Sequence, residues 1–240
     1  MSGLNIFFEH ESYSLKDSFT ISRGSKKTAD VITVRLSDNI HSGIGECTPN
    51  FRYGQTIRTE LDKLVGMKQA LESCEDGHER WIINKLFKPG PARSAVDTAL
   101  WDLELKQNKK TIWTYHNVKK PEALPTMITL DASSIEKNLS TASAYVDCEI
   151  FKIKFKGDHT DINRLLEIRE KFPKKRLLID ANESIIPSQI GKCINHCERL
   201  HVEVLEQPME PKHDKLLRDL RTKTISVSYT HLTLPTNREV

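Results

Sequence analysis

From Pro125 onward, short apolar runs alternate with longer amphipathic segments four times in succession. The runs are TMITLD, EIFKIKF, RLLIDA and VEVLEQ, and helical patterns fall near 134–146, 159–171, 187–200 and 213–221. Strand and helix alternating in this way require parallel strands joined by right-handed crossovers, so the C-terminal half is expected to be α/β. Periodicity leaves open whether that sheet stays open or closes into a barrel.

The N-terminal part has a different texture. Residues 4–46 are strand-like: NIFFEHESY alternates weakly, whereas DVITVRLSD and GIGE read as two strands joined by a polar turn at Asp38-Asn39. IRTELDKLVGMKQAL and SAVDTALWDLELKQN then carry apolar residues at helical spacing, and Pro-Gly-Pro at 89–91 sets a break just before the second. An α+β domain over residues 1–115 is the expectation. GIGE is not a dinucleotide fingerprint, because the third glycine and the helix start are missing.

Composition narrows the function classes. With 240 residues, 38% of them hydrophobic, the chain can bury the core of one large domain or two ordinary ones. The balance of 36 Lys plus Arg against 33 Asp plus Glu is too even to point to nucleic acid. The start, MSGLNIFFEHES, lacks a basic n-region, and no apolar run is long enough for a bilayer. A cytoplasmic protein without a membrane partner is therefore expected. Five widely spaced cysteines fit reduced thiols better than a disulfide framework. Cys193, His196 and Cys197 resemble part of a metal site, but with no second ligand pair nearby they read as small residues on a helix.

A parallel α/β sheet is covered on both faces, so charges in its strands need a reason. Phe151, Ile153 and Phe155 alternate with Lys152, Lys154 and Lys156; Asp180 ends RLLID and Glu206 ends VEVLE. Lys154 to Asp180 and Asp180 to Glu206 are each 26 residues. Equal steps carry these groups at one height on successive βα units, towards the carboxyl edge where such folds place their sites. Neighbouring carboxylates repel unless a positive group lies between them, and Mg²⁺, with its preference for hard oxygen ligands, is the simplest candidate. A second ammonium and a nearby metal would lower a lysine's pKa from about 10.4 and make it a usable base. Taken singly, each charge reads as a helix cap or a surface pattern; their common spacing favours a site.

These residues carry a resemblance to the enolase superfamily, in its muconate-lactonizing branch, and most closely to dipeptide epimerases of the L-Ala-D/L-Glu type. FTISRGSK and GIGECTPNFRYGQT resemble the family's capping-domain segments and SAVDTALWDLELK its linking helix; KIK, DAN and EQP resemble its barrel motifs. The resemblance implies an α+β capping domain (1–115), then the first half of a (β/α)₇β TIM-like barrel (116–226), and removal of the proton α to a carboxylate. It implies Lys154 as the base on one face of the substrate, Lys152 beside the substrate carboxylate, and Asp180 and Glu206 as two of three Mg²⁺ ligands. It places Thr129 and Arg23 where epimerases hold a dipeptide, and it departs from the family at Gln55, where glutamate is more frequent. A cycloisomerase or an o-succinylbenzoate-synthase-like dehydratase would share Lys154, Asp180 and Glu206. A non-catalytic scaffold is the third reading, and a homo-oligomer is left open.

The same step predicts a third metal ligand near residue 232, on a strand beginning around Thr224. Position 232 is leucine, and no carboxylate appears until Glu239. From about Val227 the sequence resembles translated sequencing-adapter read-through, so 227–240 is expected to be a non-native tail. A complete barrel takes about 250 residues, and 124–226 supplies only part of one. The third ligand, the opposite-face lysine and the last-strand acidic groups are thus expected to be missing, and the chain to be an inactive fragment.

Overall fold

The computed structural model describes residues 3–74, 76–213, 215–217 and 227–229. These fall into two compact units, one comprising 1–16 with 27–122 and the other 17–26 with 123–240.

β1 (Asn5–Ile21), β2 (Gly24–Ser37) and β3 (Ser42–Cys47) form a sheet in that order, all of it in the first unit except the part of β1 and β2 that lies within Asp17–Lys26. The β2–β3 pairing is antiparallel, from Ile32 opposite Cys47 to Ser37 opposite Ser42. Asp38 closes the turn by accepting the N–H groups of Ile40 and His41, at 2.8 and 2.6 Å, and Asn39 takes a left-handed φ of 74°. Ile32, Val34 and Leu36 alternate into a core built with α1 (Ile57–Glu72), α2 (Arg80–Leu86) and α3 (Pro91–Gln107). Pro91 opens α3 in the first turn, where its missing N–H costs nothing. A short helix, α4 (Ile112–Tyr115), follows.

The glycines of GIGE serve packing. A Cβ on Gly43 or Gly45 would run into the Ala99 and Ala95 carbonyls of α3. Strand and helix approach closely because both present minimal side chains. Gly45→Val is expected to destabilise this unit by about 3 kcal/mol or more through overpacking, seen as a lower urea midpoint with an unchanged slope.

In the second unit, β4 (Met127–Leu130), β5 (Ile150–Lys154), β6 (Arg176–Asp180), β7 (Val202–Glu206) and β8 (Val227–Tyr229) are hydrogen-bonded in chain order, and every pairing is parallel. Helices α5 (Ile135–Ala144), α6 (Thr160–Lys171) and α7 (Ile190–Arg199) connect the first four strands. The order has no reversal, so it is the singly wound arrangement of barrels rather than the doubly wound one. The helix expected over 213–221 falls mostly outside the described residues.

The strand EIFKIKF divides as its alternation demands. Phe151, Ile153 and Phe155 are buried with Leu165, Ile168 and Phe172, and the Phe151 and Phe172 rings meet edge to face at 5.6 Å. Lys152 and Lys154 are half-buried on the other side, while Lys156 is exposed and pairs with Asp158 at 3.1 Å. Cys193 and Cys197 lie in the same core, and all five cysteines are free.

A buried guanidinium ties the carboxyl ends of β4 and β5 together. Arg164, 3% exposed, donates through Nη1 to the Asp131 carbonyl (3.0 Å) and Asn138 Oδ1 (3.1 Å). Through Nη2 it donates to the Lys154 carbonyl (2.8 Å) and Asp161 Oδ1 (2.6 Å). Asp161 in turn accepts the N–H groups of Lys156 and Gly157. The peptide that carries Lys154 is therefore held from behind.

Candidate functional site

The parallel register sets Lys154 opposite Asp180 and Asp180 opposite Glu206. Side chains two residues apart share a face of a strand, so Lys152 emerges beside Lys154. Lys154 Nζ donates to Asp180 Oδ2 at 2.6 Å, and Lys152 Nζ lies 2.6 Å from Glu206 Oε2 and 3.0 Å from Asp180 Oδ2. Lys152, Lys154, Asp180 and Glu206 thus form one cluster on three adjacent strands.

Burial pushes the Asp180 carboxyl up, but the ammonium groups of Lys154 and Lys152 outweigh it and hold the group below its usual range. Burial pushes Lys152 down, and Glu206 with Asp180 more than reverse this, so Lys152 lies above an ordinary lysine. The lowering expected from a neighbouring ammonium does not apply to Lys152, because two carboxylates surround it.

The other expected residues take different positions. Thr129 is half-buried on β4, paired in register with Lys152. Arg23 donates to the Asn182 carbonyl at 3.0 Å and lies 3.8 Å from Glu183 Oε2. Gln55 is in the first unit, where its Oε1 accepts the Asn50 N–H at 2.9 Å and closes its own loop. The fifth strand departs from the 26-residue step: Glu206 pairs with Tyr229, 23 residues on, the same step that separates Thr129 on β4 from Lys152 on β5. Positions 232 and 239 lie outside the described residues.

The sequence alone assigns no role to Asn182, in DAN, or to Gln207, in EQP, yet both reach the cluster. Asn182 accepts Lys154 Nζ at 3.2 Å and donates to Gln207 Oε1 at 3.0 Å. Both have left-handed backbones, with φ of 44° and 46°.

Among the described residues no group of three or more His, Cys, Asp or Glu side chains is placed to hold a metal. Asp180 and Glu206 nonetheless offer two carboxylates at one strand edge. Hard oxygen donors of this kind fit Mg²⁺ better than a softer transition metal.

An α+β unit, followed by parallel strands wound in chain order with lysines and carboxylates at their carboxyl edge, defines an α/β protein with a site where barrel enzymes place theirs. Comparisons with known proteins agree on the family. Residues 4–115 match the mandelate racemase / muconate lactonizing enzyme N-terminal domain, and residues 137–230 match the enolase C-terminal domain-like family. The L-Ala-D/L-Glu epimerase of Escherichia coli K12 is 30% identical over 211 residues, covering 87% of this chain and 64% of the relative. An enolase family member from Agrobacterium tumefaciens with homology to dipeptide epimerases, solved with sodium and L-Ala-L-Glu, superposes with a TM-score of 0.85 at 30% identity, over 94% of this chain and 67% of that one. The dipeptide epimerase of Enterococcus faecalis V583, solved with Mg and L-Leu-L-Tyr, gives 0.84 at 22% identity, over 95% and 67%.

The chain belongs to the mandelate racemase / muconate lactonizing enzyme family of the enolase superfamily. Its fold is an α+β domain followed by an incomplete TIM-like barrel. It spans just under two thirds of the length of the E. coli relative. Among the described residues, no helix is long and apolar enough to cross a membrane.

Proposed function

We propose that this chain carries part of the site of a Mg²⁺-dependent epimerase that removes the proton α to a dipeptide carboxylate. The observation that carries the proposal is the contact of Lys154 Nζ with Asp180 Oδ2 at 2.6 Å, beside Lys152 bridging Asp180 and Glu206. Lys154 takes the α-proton on one face of the substrate. Lys152, held charged by its two carboxylates, attracts the substrate carboxylate and stays protonated while its neighbour works. Asp180 and Glu206 would hold Mg²⁺, which supplies positive charge where negative charge grows as the proton leaves. Arg23 offers a guanidinium to the far end of the dipeptide, and Thr129 a hydroxyl beside Lys152. A reducing, cytoplasmic setting suits the five free thiols.

Among the described residues the site's lysines lie on one strand, so they serve one substrate face. The 240-residue chain, incubated in D₂O with Mg²⁺ and L-Ala-D-Glu or L-Ala-L-Glu, is expected to give no epimerisation by ¹H NMR. Appearance of the opposite α-epimer, deuterated at its α-carbon, would overturn that expectation. A longer polypeptide that supplies the remaining barrel strands is expected to exchange the same proton. Failure of that polypeptide to exchange any dipeptide would overturn the proposed function.

A further inference from the structure

Asn182 follows directly after β6 in the left-handed region, which asparagine adopts more readily than most residues. It is 8% exposed, and each of its polar groups is engaged. Its N–H donates to Asp180 Oδ1 at 3.0 Å, and its carbonyl accepts Arg23 Nη1 at 3.0 Å and Ser22 Oγ at 3.3 Å. Its side chain accepts Lys154 Nζ at 3.2 Å through Oδ1 and donates to Gln207 Oε1 at 3.0 Å through Nδ2. The amide orientation is fixed by chemistry: an ammonium only donates, so the oxygen must face Lys154 and the nitrogen must face Gln207.

Asp180 Oδ2 is shared, accepting Lys154 Nζ at 2.6 Å and lying 3.0 Å from Lys152 Nζ, so it fixes only one direction around Lys154. Asn182 Oδ1 is the second acceptor on Lys154. With two directions around Nζ taken by Asp180 and Asn182, one direction is left for proton transfer. We infer that Asn182 is a positioning residue that aims the Lys154 amine, an inference that rests on Lys154 being the base.

The test uses the 240-residue chain with ¹⁵N-labelled lysine, observing side-chain ammonium signals by NMR; Lys154→Arg and Lys152→Arg identify the two signals by their disappearance. Asn182→Gly keeps the left-handed backbone and its hydrogen bonds and removes only the side chain. Asn182→Asp keeps an acceptor oxygen. The expected result is loss of the Lys154 signal in the glycine variant through faster exchange with water, its retention in the aspartate variant, and an unchanged Lys152 signal in both. A general structural role would instead disturb both lysines and the backbone amide spectrum. A Lys154 signal equally ordered in the glycine variant would overturn the inference, as would its absence from the unmodified chain. The measurement needs neither metal nor substrate, so it stands or falls separately from the exchange assay.

Discussion

Lys154→Ala is expected to lower α-proton exchange by about 10²–10⁴-fold in a polypeptide that completes the barrel, the range typical of losing a positioned general base. The loss should fall on kcat, with the dipeptide KM little changed, because a base in the role proposed for Lys154 interacts with the substrate chiefly as the proton moves. Lys152 cannot substitute. Its ammonium bridges Asp180 and Glu206, and those carboxylates raise its pKa rather than free an electron pair. The fold should tolerate the change, since Lys152 still pairs with Asp180 at 3.0 Å. NMR-monitored exchange in D₂O measures the effect, and exchange that survives undiminished would remove Lys154 from the base role.

Arg164→Met is expected to destabilise the second unit by about 3–5 kcal/mol, the usual cost of removing one partner from a buried ion pair. The thioether matches much of the lost volume but leaves Asp161, 2% exposed, without its cation, and removes the guanidinium's hydrogen bond to the Lys154 carbonyl, while the Asp131 carbonyl keeps Asn138 Nδ2 at 3.1 Å. Buried acceptors left unpaired add desolvation cost to the lost Coulomb attraction. Arg164→Lys should recover only part of this, because an ammonium lacks the planar fork that reaches two strands and two helices. Urea unfolding at neutral pH measures the difference; a loss under 1 kcal/mol would show that the guanidinium is not what ties the strand ends.

The features legible from sequence were those governed by local period. Strand alternation assigned Phe151, Ile153 and Phe155 to a core, and the 26-residue step put Lys154, Asp180 and Glu206 at one height, the register in which they pair. Long-range burial was not legible. Asp161 and Arg164 are spaced three apart on a helix and both are buried, because tertiary packing, not local period, decides which helical face is covered. The first strand was weak in sequence because most of its residues are exposed or half-exposed, which blurs the alternation. The role of Asn182 within DAN is not legible from sequence, since Arg23, Ser22 and Gln207, all distant along the chain, meet it only in the fold.

In the proposed function, Asp180 and Glu206, with the two lysines beside them, form a Mg²⁺-assisted site for α-proton removal. Calorimetric titration of Mg²⁺ into the 240-residue chain tests it most directly, run beside Asp180→Asn and Glu206→Gln variants shown by their amide spectra to remain folded. The predicted result is saturable binding by the unmodified chain that is lost in both variants. Binding that is absent from the unmodified chain, or equal in all three proteins, would contradict it.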